Sequence, residues 1–267
     1  MGALSFFKES VFADEYAAKN AFLQRRDARI KTISFLLLLL TVLFTRDIYF
    51  IAAIYLFVLA LSSLSGINLW FFLKRTWIFI PLFSLFIAIP AMFNFFSPGE
   101  PIFVLGIFNL KLVITRQGLL AATLFILRVI TSVSITVLLA LTTRHNELLR
   151  VLRIVRIPQV FVMTLGMCYR YIYLFAEVVE NTYLAIKSRV GRRIHHKDGR
   201  EVVAWSIASL WHRSYHLNNQ VYNAMLSRGY RGEPILYEEF RATAVDWAAL
   251  ACVLMFFFLI LINVARA

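Results

Sequence analysis

Long apolar stretches, each near the length of a bilayer-crossing helix, constrain this chain more than any other feature. The clearest runs from Ile30 to Thr45 and contains Phe35-Leu36-Leu37-Leu38-Leu39-Leu40. Others span about Ile48–Leu64, Trp77–Phe96, Gly118–Leu141 and Asp246–Val264. Hydrocarbon holds no water to satisfy backbone N–H and C=O groups, so a spanning segment must satisfy them itself; roughly 20 apolar residues make a crossing helix. Pro81 and Pro90 lie inside the third run, which membrane helices tolerate at the cost of a kink. Five crossings predict an all-α polytopic membrane protein. The composition agrees: the chain is 60% hydrophobic and 16% charged, against about 25% charged in soluble domains.

The net charge of +13 invites a nucleic-acid reading. Cations on the cytoplasmic segments of a membrane protein explain it better. Lys8, Lys19, Arg25, Arg26, Arg29 and Lys31 precede or open the first run, and Lys74 and Arg75 follow the second. Fifteen Lys and Arg lie between Thr142 and Val245, whereas the opposite side holds Arg46, Lys111, Arg116 and Arg266. The expected layout is a cytoplasmic N-terminal segment (1–29), four transmembrane helices (30–141), a cytoplasmic helical region (142–245) and a last transmembrane helix (246–267). An odd number of crossings places the N-terminus inside and the C-terminus outside, as the charge count requires. The polar segment Met1–Lys31 lacks the form of a secretory signal peptide. Alternation around Gly106 and Asn109 within Ser97–Gln117 predicts a small hairpin.

Residues 142–245 predict two or three amphipathic helices. Asn146–Ile157, stopped by Pro158, places Leu148, Leu152 and Val155 on one face and Arg150, Arg153 and Arg156 three apart. A second helix runs from Gln159 through Arg189, its start (Val160–Met167) apolar enough to dip into the membrane. Met167, Tyr171, Leu174, Val178, Asn181 and Ala185 follow a 3-4 alternation. After a linker (Val190–Arg200), Asp198 and Glu201 form a capping-box pattern. The third helix, with Val203, Ile207, Leu210, Ser214, Leu217, Val221 and Ala224 in the same alternation, reaches Arg228. Gly229 is suited to the C′ position beyond it. The second and third helices are expected to pack antiparallel or crossed.

These two helices end alike: Ala185-Ile186-Lys187-Ser188-Arg189 and Ala224-Met225-Leu226-Ser227-Arg228. A cation in a last turn suits the helix dipole, worth roughly 0.3–1 kcal/mol. The repeated Ala-x-x-Ser-Arg pattern asks for more: a guanidinium fork is built for bidentate pairing with a carboxylate, and the serines are small enough for close contact. Ser188, Arg189, Ser227, Arg228 and Gly229 are therefore candidate docking residues for a partner with two equivalent sockets.

The signatures of catalysis are missing. The sequence has no Gly-x-x-x-x-Gly-Lys-Ser/Thr loop and no Gly-x-Gly-x-x-Gly fingerprint, so no catalytic residue and no cofactor are assigned. No predicted span has an interior Asp, Glu or His, so no metal-ligating residue is assigned there either. Arg128 is the one ionisable residue deep in a span, at roughly 2.5–3.5 kcal/mol of insertion cost; it either bonds backbone carbonyls of a neighbouring or partner helix or faces a wet cavity. His195-His196 form a weak metal pair, and His212 and His216 have zinc-helix spacing without an intervening Glu. Glu177 and Glu180 share a helix surface, where an acid–base pair would sit in a membrane enzyme. Cys168 and Cys252 suggest no disulfide.

Taken together, this layout resembles the T component of energy-coupling-factor (ECF) transporters, in its cobalt-type branch, CbiQ. The residues that carry the resemblance are Arg26-Asp27-Ala28-Arg29-Ile30-Lys31, Leu148–Pro158, Tyr169-Arg170-Tyr171 with Glu177, the two Ser-Arg endings, and Ala224–Gly232. It implies a non-enzymatic scaffold: Arg189 and Arg228 dock on a cytoplasmic ABC ATPase dimer, and the membrane part holds a substrate-binding S component in the lipid bilayer, with no nucleic acid. In the first motif Val190 stands where the family has Gly. The resemblance points to cobalt; nickel or a vitamin is the alternative cargo. A membrane-embedded enzyme, or a basic anchor for anionic lipid or nucleic acid, remains the rival reading.

Overall fold

The computed structural model of the chain describes residues 16–17, 21–77, 80–91, 101–107, 110–154, 157–190, 196–232 and 242–266. The helices are α1 (Ala28–Phe44), α2 (Ile48–Leu64), α3 (Leu69–Trp77), α4 (Ile80–Ala91), α5 (Arg116–Thr142), α6 (His145–Ile154), α7 (Gln159–Val190), α8 (His196–Ser227) and α9 (Ala244–Arg266). An antiparallel hairpin, β1 (Pro101–Ile107) and β2 (Leu110–Thr115), precedes α5, with a register shift between Pro101 and Phe103. The chain is thus a helical membrane protein with one small hairpin, and it divides into two units with a boundary inside α6.

One unit holds α1–α5, the hairpin and α9. Its five apolar runs all form helices. Three helices of the described chain are long and apolar enough to cross a membrane, within α5, α7 and α9, and α2 is a shorter apolar one. Phe35, Leu38 and Val42 of α1, Ile51, Ile54 and Val58 of α2, and Ile135, Leu138 and Leu141 of α5 are buried together. Each set recurs at three- or four-residue steps, one face per helix. Hydroxyl groups in these helices donate to the carbonyl one turn back, as Thr41 does to Leu37 (2.7 Å) and Ser134 to Ile130 (2.8 Å), which satisfies them without water. Side chains cap the helix starts: Asp27 Oδ1 accepts from Arg29 N at 2.9 Å, and Thr115 Oγ1 accepts from Gly118 N at 3.1 Å.

Two differences from expectation have local causes. Lys74 and Arg75, read as loop residues, lie in the last turn of α3. This nine-residue helix is too short to register as a span, yet it buries Phe72 and Thr76. The helix of the third run ends at Ala91, and residues 92–96 of that run lie outside the described residues.

The other unit holds α7 and α8, 32 residues each. The linker residues 191–195, with Gly191, lie outside the described residues. α8 is helical from His196, so Asp198 stands inside the helix and not at its cap; the expected start at residue 199 lies three residues inside the described helix. The expected heptad seam of α8 is kept in part: Leu210, Leu217 and Val221 are half-buried, whereas Val203, Ile207, Ser214 and Ala224 are exposed and Val202, Ser206 and Met225 are half-buried instead. The half-buried positions step by 4, 4, 7, 4 and 4 residues, longer on average than the 3.5-residue period of a left-handed supercoil.

Candidate functional site

The second Ser-Arg ending is built by a hydrogen-bonded cap. The helical part of α8 stops at Ser227, and Gly229 takes φ +82°. Tyr230 N donates to Met225 O (3.0 Å) and Gly229 N to Leu226 O (3.0 Å). This six-to-one and five-to-two pair is the Schellman motif, with Arg228 at the C-cap and Gly229 at C′. A Cβ added at Gly229 would meet nothing within 4 Å, so within the chain the glycine is needed for its backbone angle and not for space. The first ending is simpler. α7 remains helical through Val190, with Lys187 and Arg189 in its last turn.

Both endings face outward. Ser188, Arg189, Ser227, Arg228 and Gly229 are all exposed. The two serines serve their own helices: Ser188 Oγ donates to Ala185 O (2.9 Å) and Ser227 Oγ to Asn223 O (3.0 Å). Neither arginine has a hydrogen bond or ion pair among the described residues, so both guanidinium forks are available.

The distance between the endings follows from helix geometry. Just beyond Arg228, the Tyr230 hydroxyl lies 3.3 Å from Met163 Sδ near the start of α7, and 3.0 Å from Gly232 O. α8 therefore returns toward the beginning of α7. From Met163 to Arg189 the helix continues without interruption, and at 1.5 Å per residue this sets the two arginine-bearing ends roughly 40 Å apart. Both arms also present apolar stripes to their surroundings. Ile207, Trp211, Tyr215, Tyr222 and Leu226 of α8 are exposed at near-helical spacing, Trp211 to 78%, and Phe161, Ile172, Val179 and Tyr183 do the same on α7.

In the membrane unit, Arg128 bonds a carbonyl of a neighbouring helix, one of its two expected solutions. Its Nη2 donates to Thr45 O, the C-cap of α1, at 2.7 Å. A carbonyl at a helix C-terminus has no partner within its helix and carries the negative end of the dipole, so it suits an arginine. A second cation, missed by sequence reasoning, makes the mirror contact. Lys31 Nζ, buried, donates to Thr142 O (2.8 Å) at the end of α5 and to Leu23 O (3.2 Å). Positions 31 and 45 on α1, and 128 and 142 on α5, are both fourteen residues apart, so the antiparallel helices clamp each other's C-termini in register. The available signal was a lysine one turn inside a membrane helix, which must find acceptors. A third cation, Arg26, reaches Thr243 Oγ1 (3.1 Å) and Asp246 Oδ1 (3.7 Å) at the start of α9. Asp246 Oδ2 also accepts from Thr243 N and Oγ1, at 2.9 and 2.7 Å.

The residues weighed for other chemistry remain dispersed. His212 and His216 stack edge-to-face, with centroids 4.5 Å apart on an exposed face. Among the described residues no three His, Cys, Asp or Glu gather as a metal site. Glu177 is exposed and Glu180 half-buried, while Cys168 and Cys252 are free. His195 lies outside the described residues.

These elements define a helical membrane protein in which two 32-residue helices end at exposed arginines. Residues 19–238 match the profile of the family described as CbiQ, cobalt transport protein, and the chain belongs to that family. Two uncharacterized proteins of Methanocaldococcus jannaschii are similar to it. One is 35% identical over 86% of this chain and 78% of its own length. The other is 24% identical over 67% and 70%.

Proposed function

We propose that this chain is the transmembrane coupling subunit of an ECF-type ABC importer for cobalt. It performs no chemistry. Arg189 and Arg228 enter the two grooves of a cytoplasmic ABC ATPase dimer, and closure of that dimer on ATP moves the arm ends against each other. The exposed apolar stripes of α7 and α8 carry the motion to a membrane S component that selects the cargo. The observation that supports this most is the pair of unengaged arginines at helix ends roughly 40 Å apart, as two sockets on a twofold partner require. The family's description supports cobalt over nickel or a vitamin.

In this reading the N-terminus and residues 142–245 are cytoplasmic and the C-terminus is outside. α7 is apolar enough by composition to cross a membrane. However, its stretch before Arg170 covers only 159–169, about 16 Å of helix against roughly 30 Å of hydrocarbon. We take it to dip into the inner leaflet.

The test is co-expression with candidate ATPase and S-component genes. Arg189→Ala and Arg228→Ala each weaken recovery of the ATPases, and the double variant abolishes cobalt uptake while still inserting in the membrane. Unchanged ATPase recovery and uptake in the double variant overturn the proposal, and uptake of nickel in place of cobalt reassigns only the cargo.

A further inference from the structure

A crevice of about 140 Å³ opens on α1 between α2 and α9. Its walls are almost wholly apolar, formed by Phe35 and Leu38 of α1, Phe57 and Leu61 of α2, and Val253 of α9. Its polar groups, Arg26, Lys31, Ser34 and Asp246, gather toward the N-terminal ends of α1 and α9. Along α9 the crevice runs from Val245 to Val253, about 12 Å of helix. A slot that is polar at one end and hydrocarbon along its length has the polarity profile of one membrane leaflet.

Two details point to a ligand. Thr41, Thr131 and Ser134 return their hydroxyls to a carbonyl one turn back; the buried hydroxyls of Ser34, Ser62 and Thr143 have no partner among the described residues, and of these Ser34, 8% exposed, lines the crevice. A buried hydroxyl without a bond costs roughly 1–3 kcal/mol, so an acceptor entering the crevice is favoured. Of the charged residues lining the mouth, Arg26 and Lys31 are cations and Asp246 is the carboxylate, while Glu147 and Asp27 also act on Lys31 and leave Arg26 as the cation open to an anion. Lys31 is committed to its two carbonyls. Arg26 lies over the Phe22 ring at 4.6 Å and reaches Asp246 and Thr243 through Nη1, which leaves other guanidinium N–H groups for an anion.

We propose that this crevice binds a phospholipid with an anionic headgroup. One acyl chain lies between α1, α2 and α9, an oxygen on the glycerol accepts from Ser34 Oγ, and the phosphate sits against Arg26. The site is independent of the transport reading.

The experiment uses the full chain in nanodiscs of equal phosphatidylglycerol and phosphatidylcholine, extracted into detergent and examined by native mass spectrometry. Wild type retains phosphatidylglycerol in preference to phosphatidylcholine. Ala249→Trp, which fills the crevice from the exposed side of α9, removes the retained lipid. Arg26→Gln keeps a lipid but lowers the preference for phosphatidylglycerol roughly fivefold, the effect of one cation at an anionic surface. Should Ala249→Trp fail to fold, the Arg26→Gln ratio decides alone. Equal retention of the two lipids by wild type, or an unchanged ratio in Arg26→Gln, overturns the proposal.

Discussion

Gly229→Ala is the sharpest probe of the second arm, because the structure separates its effect from steric clash. A Cβ at this position meets no atom within 4 Å, so only the backbone angle of +82° is penalised. An L-residue with a Cβ in the left-handed region costs roughly 1–2 kcal/mol. The chain either bears that strain or abandons the Met225 and Leu226 carbonyl bonds and re-aims Arg228. In the second case the end seen here becomes rarer and, on the proposed docking role of Arg228, apparent affinity falls by the same fraction. A penalty of roughly 1–2 kcal/mol then raises the dissociation constant for the proposed ATPase pair by at most about 5- to 30-fold, the full effect being reached where the relaxed end predominates in the free chain. The assay is equilibrium binding of the purified ATPase dimer to the full chain in nanodiscs. Gly229→Asn, a residue that tolerates this angle, should lose less than Gly229→Ala. Gly166→Ala is the internal control: its added Cβ makes an ordinary 3.9 Å contact with Leu149 Cδ1, and mid-helix alanine is favoured by up to about 1 kcal/mol. Wild-type affinity in Gly229→Ala, or equal losses in all three variants, refutes the reasoning.

Other expectations follow from the clamps and caps. Lys31→Met leaves the Thr142 and Leu23 carbonyls without their charged donor and should cost about 2–4 kcal/mol, read as a lower unfolding temperature in detergent. Arg128→Leu should be nearly neutral in the same assay, since losing a bond of roughly 1.5–3 kcal/mol offsets removing an intramembrane charge of similar cost. Asp246→Ala removes the partner of Thr243 and Arg26 at the start of α9 and should cost about 0.5–2 kcal/mol, again as a lower unfolding temperature.

Much of this architecture was legible because its signals are local. The leucine run of α1, the apolar lengths of α2, α5 and α9, the repeated Ser-Arg endings and the glycine after Arg228 each lie within a few residues. The hairpin was legible for the same reason, through alternation around Gly106 and Asn109. What escaped depends on partners distant in sequence. Nothing near Lys31 names Thr142, 111 residues away, and nothing near Arg26 names Thr243, 217 residues away. α3 escaped because nine residues hold little periodicity. The inward face of α8 was placed correctly at Leu210, Leu217 and Val221 and missed toward both ends, where four-residue steps take the half-buried positions off a seven-residue repeat. At the site, the residue types were apparent, but their wide spacing required the Tyr230–Met163 contact.

The two cation bonds between α1 and α5 bear on where the molecule can yield. Sliding either helix by one residue, about 1.5 Å, stretches both bonds together and draws each cation from its carbonyl. Shear along this pair is therefore opposed at two points, fourteen residues apart along each helix. The two helices therefore yield to bending or pivoting more readily than to sliding past each other.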